Sequence, residues 1–200
     1  MLLPIETFFP DTPHGFKMSD NRIMKLFILF FITLSFNINA EFAEFKLNEL
    51  NPYLPGNVID KGKPELKKAV VLDKEGEKEI LLLKYQLPKF YLTTNLQVEK
   101  NEILDSYFRF PNNYSHDIVL TLLQKQFGKQ TKYYKKNNDA LYWWLDKDFE
   151  GKTVDVIYHG SCSLTCFPLG IHFIGKKAIE NPSFTSLYQK FNKDFPRRPQ

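Results

Sequence analysis

Residues 140–175 read ALYWWLDKDFEGKTVDVIYHGSCSLTCFPLGIHFIG. Val154, Val156 and Tyr158 alternate with Asp155, Ile157 and His159, and a period of two is that of a strand with one buried face. Glu150-Gly151-Lys152 supplies a hairpin connection between strands at 140–146 and 152–160, and 169–175 makes a third strand. The stretch therefore predicts an antiparallel meander, with both cysteines of the chain, Cys162 and Cys166, in the loop before its last strand.

Upstream, the same period recurs. Residues 68–72 and 78–87 flank a polar connection containing Gly76, and Phe90, Leu92, Thr94, Leu96 and Val98 alternate strictly with Tyr91, Thr93, Asn95, Gln97 and Glu99. Lys100-Asn101-Glu102 turns the chain into a strand at 103–110. A helix follows, capped by Ser115 or Asn113, with Asp117 in its first turn, Val119, Leu122, Leu123 and Phe127 on one face, and Gly128 as terminator. Residues 46–51 suit one helical turn, Gly62-Lys63-Pro64 reads as a helix stop, and 129–139 reads as a polar connection. After a connector at 176–182, residues 183–195 carry the stripe Phe184, Leu187, Tyr188 and Phe191 of a second helix. The fold class expected is α+β: antiparallel meanders with one or two packed helices, as one compact unit or as two tandem αβββ-like halves.

With 43% hydrophobic and 25% charged residues the composition is globular. The net charge of +4 comes from 27 basic and 23 acidic residues scattered along the chain, which argues against a nucleic-acid surface. Residues 24–40, MKLFILFFITLSFNINA, have the positive start, the apolar run and the small residue Ala40 of a secretory signal, and that run is too short to span a bilayer. The expected organisation is an extension or mis-assigned start at 1–23, a signal peptide at 24–40, a β-rich half at 41–111 and an α+β half at 112–200. The expected location is the periplasm or the exterior, with no stable membrane span after cleavage.

Gly62-Lys63-Pro64 and Gly128-Lys129-Gln130 each follow a helical or turn-like segment and precede a series of strands. This order, with its aromatic strand residues, resembles the small modules of the SmpA/OmlA outer-membrane assembly lipoproteins and a tandem β-lactamase-inhibitor-protein-like pair, over about 46–175. The lipid-attachment cysteine of the lipoproteins has no counterpart near the cleavage point. The resemblance implies a binding role rather than a chemical one.

Two cysteines in an exported protein most often pair, so Cys162 and Cys166 are expected as a disulfide that stiffens the hairpin tip. Closing so short a loop contributes about 2 kcal/mol in the chain-entropy model. The alternative is a metal or thiol-redox site in which His159, Cys162, Cys166 and His172, two imidazoles and two thiols, hold zinc or copper. Alternation puts His159 and His172 on one surface as near-diagonal neighbours. Tyr142 and Trp144 add large side chains to a strand that is apolar on both faces, so either a second layer, supplied by Phe184, Leu187 and Phe191, covers the outer face or a partner does. Tyr142, Trp144, His159 and His172 are the candidate interaction face. The function expected is a non-catalytic exported binding or interaction protein without cofactor, with another envelope or secreted protein as its partner.

Overall fold

The computed structural model describes residues 45–111, 114–136, 139–161 and 169–191. The alternation read from the chain appears as eight strands: β1 Val70–Glu75, β2 Lys78–Gln86, β3 Tyr91–Glu99, β4 Glu102–Arg109, β5 Lys132–Lys136, β6 Asp139–Phe149, β7 Lys152–Ser161 and β8 Gly170–Gly175. They form one antiparallel sheet in the order β1-β2-β3-β4-β8-β7-β6-β5. Two four-stranded meanders thus meet through their last strands, β4 against β8. The fold is α+β, and all described residues belong to a single unit.

Local chemistry explains the turns. Gly76 has φ +59° in the first hairpin, Lys100 and Asn101 both have positive φ in the two-residue turn between β3 and β4, and Gly151 has φ +73° between β6 and β7. Residues 132–136, expected as a polar connection, are instead β5. All five are exposed at the sheet edge, so no burial alternation marks the strand in the sequence, and its ladder from Lys132↔Trp143 to Lys136↔Asp139 is what defines it.

One face of the sheet lies under helices. A 3-10 turn at Leu47–Tyr53, the short α1 Pro64–Lys67 and α2 His116–Phe127 pack in one cluster with Leu92, Leu96, Phe108, Trp144, Val156, Tyr158, Ile171 and Phe173. Each such side chain fully buried stabilises the fold by roughly 1.5–3 kcal/mol. Pro64 opens α1 rather than stopping a helix, because a first-turn residue needs no N–H. α2 buries Val119, Leu123 and Phe127, with Leu122 half-buried; Ser115 stands at its cap without a side-chain cap bond, and Asn113 lies outside the described residues. Gly128 ends the helix at φ +76°, and its carbonyl accepts a hydrogen bond from Trp144 Nε1 at 2.8 Å.

The other face is covered in part, by α3 Lys176–Ile179, where a connector was expected, and by α4 Leu187–Phe191. Leu104, Leu141, Trp143, Ile157, Ile174, Ala178 and Tyr188 form its cluster. The second helix starts later than the apolar stripe suggests, because Ser186 and Gln189 form a reciprocal capping box: Ser186 N donates to Gln189 Oε1 at 2.9 Å and Gln189 N to Ser186 Oγ at 3.3 Å. Among the described residues no helix is long and apolar enough to cross a membrane.

Candidate functional site

Strand register arranges this partly covered face in cross-sheet rows. One row runs Lys84, Thr93, Arg109, Gly170, His159, Leu141, Tyr134. The next runs Leu82, Asn95, Tyr107, His172, Ile157, Trp143, Lys132. A third runs Asp73, Ile80, Gln97, Asp105, Ile174, Asp155.

The first row is open over the N-terminal meander. Lys84, Arg109 and Tyr91 are exposed, Thr93 is half-buried, and the Lys84 ammonium sits 5.0 Å from the Tyr91 ring centroid, a cation–π contact that holds both side chains on the surface. At the strand ends beside it lies a concavity of about 810 Å³ lined by Gln86, Lys89, Phe90, Tyr91, Thr93, Arg109, Phe110 and Pro111. Among the described residues its wall contains two cations, three aromatic rings and no carboxylate. Such a wall favours an anionic group with apolar or planar neighbours.

The second and third rows are buried at their centres, while their ends at Asp73 and Lys132 are exposed. His172 is 2% exposed, stacked on Tyr107 with ring centroids 4.2 Å apart, and Tyr188 meets it edge-on at 5.5 Å. Burial pushes the His172 imidazole down to about 3, with the neighbouring His159 adding to the shift, so it is neutral in the folded protein at ordinary pH. A Cβ on Gly170 would overlap the Tyr107 ring, so only glycine leaves room for that stack. Asp105 is 1% exposed; its Oδ2 accepts a hydrogen bond from Leu187 N–H at 2.7 Å, and burial raises its carboxyl to about 8.

His159, half-buried, and His172, buried, share this face: His159 is opposite Gly170 and His172 opposite Ile157, the diagonal relation expected. Tyr142 and Trp144 do not join them. They pair with Tyr158 and Val156, point to the helix-covered face and are 9% and 0% exposed, because the period of two that places His159 outward places both aromatics inward. The expected four-residue interaction face is therefore corrected to a pair of histidines on one side and a buried aromatic pair on the other. Cys162 and Cys166 lie outside the described residues, among which no group of three or more His, Cys, Asp or Glu is placed to hold a metal ion. His116 is half-buried, stacks on Tyr158 and has Nδ1 2.9 Å from its hydroxyl.

Sequence reasoning missed Lys84, Arg109 and Asp105. The strict alternation at 90–98 already placed Tyr91 and Thr93 outward, which marks their strand neighbours Lys84 and Arg109 once the pairing is known. Asp105 had no such signal, since its burial depends on a β-bulge next to Val98 and on a segment distant in sequence. What the fold and the site define is an α+β protein whose single antiparallel sheet is covered on one face and half open on the other. No family model matches the chain, nor does any curated protein or any solved structure.

Proposed function

We propose that the protein is a non-catalytic exported binding protein, periplasmic or secreted, that docks an acidic segment of another envelope or secreted protein on the open part of its sheet. The observation that carries this reading is the strip of Lys84, Tyr91, Thr93 and Arg109 beside a concavity free of carboxylates among the described residues. Arg and Tyr are the residues that anchor interfaces, and cations steer an acidic partner to them. The strongly shifted groups, Asp105 and His172, are sealed beneath the C-terminal segment rather than set in the concavity where a reactant would sit.

The test is fluorescence anisotropy with a labelled oligo-glutamate peptide, and oligo-lysine as control, on protein expressed with its leader and purified from the cell envelope or medium. Selective binding of oligo-glutamate that is lost in Arg109→Glu and Lys84→Glu is the expected result; equal binding of both peptides, or of neither, sinks the reading.

The diagonal placement of His159 and His172 supports a second reading, the metal or thiol-redox site completed by Cys162 and Cys166 with zinc or copper. Free-thiol titration with metal analysis separates the two. A full disulfide without metal removes the second reading, and two free thiols with stoichiometric metal favour it.

A further inference from the structure

The docking strip and the buried rows are one face of the same strands, and what divides them is α3 together with the segment 183–191. We propose that this segment is a displaceable strap, latched to the sheet by Asp105, that covers the inward continuation of the docking face and so regulates how much of it a partner meets. The proposal rests on the docking reading given above.

The strap is seated by Leu187 and Tyr188, 0% and 1% exposed, and tied to the sheet by polar and ring contacts. Leu187 N–H donates to Asp105, the Tyr188 ring stands edge-on to Trp143 at 4.9 Å, and Lys190 lies 3.9 Å from Asp73. Two cavities flank it: one of about 150 Å³ bounded by Gln97, Phe184 and Lys190, and one of about 170 Å³ bounded by Trp143, Tyr188 and Gln189. Both are open to solvent, so the strap is bordered by clefts on either side rather than by close-packed core. The seat is also polar: among the described residues, and with Asp105 as a carboxylate, Gln97 Oε1, Asp105 Oδ1 and His172 Nδ1 have no hydrogen-bond partner. Native cores rarely keep buried polar atoms in that condition, which calls for a proton between the two oxygens.

Gln97 and Asp105 are directly opposite in the β3–β4 ladder. A proton on Asp105 Oδ1, donated to Gln97 Oε1, satisfies both orphan oxygens while Oδ2 accepts from Leu187. The latched carboxyl is then a neutral acid, in keeping with its rise to about 8. Once the strap lifts, a solvated Asp105 ionises near its ordinary value of about 4. The closed state therefore holds a proton that the open state releases, and raising the pH from about 4 to about 8 favours opening by roughly tenfold per unit from this group.

The charged and titratable groups on the elements packed around Asp105 include Lys190 on the strap, Asp73 and Glu75 on β1, Lys78 and Glu79 on β2, His172 on β8 and Asp155 on β7. Lys74 and Lys61 hold Glu79 below the usual carboxylate range, and burial raises the Tyr107 and Tyr188 phenols, so none of these three titrates between pH 6.5 and 8.5. His172 is neutral in the closed state, and above pH 6.5 it is neutral largely in the open state too, which makes that window specific for Asp105.

Hydrogen exchange of the full purified protein, corrected for the intrinsic rate, is measured at pH 6.5, 7.5 and 8.5 for the strap and for α2. Protection of the strap is expected to fall about tenfold per pH unit up to about 8, while α2 keeps its protection. Asp105→Asn, whose amide accepts from Leu187 and donates to Gln97, should give a flat profile. Tyr188→Ala should lower strap protection at every pH and keep the slope. A flat wild-type profile, an unchanged slope in Asp105→Asn, or loss of protection in α2 together with the strap overturns the latch. By reciprocity, saturating oligo-glutamate should speed exchange of the strap in the wild type. Binding of the peptide without that change overturns the regulatory role, whereas a pH-dependent strap with no peptide binding at any pH removes the docking reading.

Discussion

The ring of Tyr107 occupies the space that a side chain on Gly170 would need, and that vacancy lets Tyr107 lie flat against His172 at 4.2 Å. Gly170→Ala should therefore lower stability by about 1–3 kcal/mol, the usual cost of overpacking. Urea denaturation of the two single variants and of Gly170→Ala/Tyr107→Ala checks it. The double variant should lose less than the sum of the singles, since the second substitution removes the clash.

Gly128 should be sensitive for a different reason. Its φ of +76° with ψ of −160° is a region almost reserved for glycine, and among the described residues beyond its chain neighbours no atom lies within 4 Å of the place where its Cβ would be. Gly128→Ala should cost about 1–3 kcal/mol through the backbone alone. Trp144→Phe should cost at least the roughly 0.5–1.5 kcal/mol of its hydrogen bond to the Gly128 carbonyl. Chemical denaturation midpoints measure both.

Two buried groups shape the pH dependence of stability in opposite directions. Asp105, raised to about 8, holds its proton when the unfolded chain has lost it, so its contribution to stability falls as pH rises from about 4 to 8. His172, lowered to about 3, stays neutral when the unfolded chain is protonated, so its contribution falls as pH drops from 6.5 to 3. Between about 4 and 6.5 the two slopes offset each other, and above 6.5 Asp105 governs, at up to about 1.4 kcal/mol per pH unit. Urea midpoints should decline from pH 6.5 to 8 in the wild type and stay level in Asp105→Asn.

Binding of oligo-glutamate at the open strip should weaken as salt rises, because Lys84 and Arg109 are exposed and screened. Arg109→Ala should reduce both the affinity and the salt slope, and Tyr91→Ala the affinity with little change in slope. Anisotropy titrations between 50 and 300 mM salt distinguish the two effects.

Most of the sheet was legible in the chain. The period of two at 90–98 and 152–160 assigned faces correctly, and the two-residue turn at Lys100-Asn101 and the glycines at 76 and 151 marked the hairpins. β5 was not legible, because an edge strand exposed at every residue has no face to alternate. The histidine pair was found from periodicity alone, while the aromatic pair was assigned to the wrong side because strand 140–146 is apolar on both faces and its pattern does not say which is which.

Local sequence, through backbone sterics and alternation of burial, determined the strands, their turns, α2 and the shared face of His159 and His172. Tertiary structure alone decided that the two meanders join through β4 and β8, that Lys84 and Arg109 lie in one open row, and that Asp105 meets Leu187 across 82 positions of chain. The physical reason is that hydrogen-bond ladders and burial between distant segments depend on which surfaces meet, and no periodicity within either segment encodes that meeting.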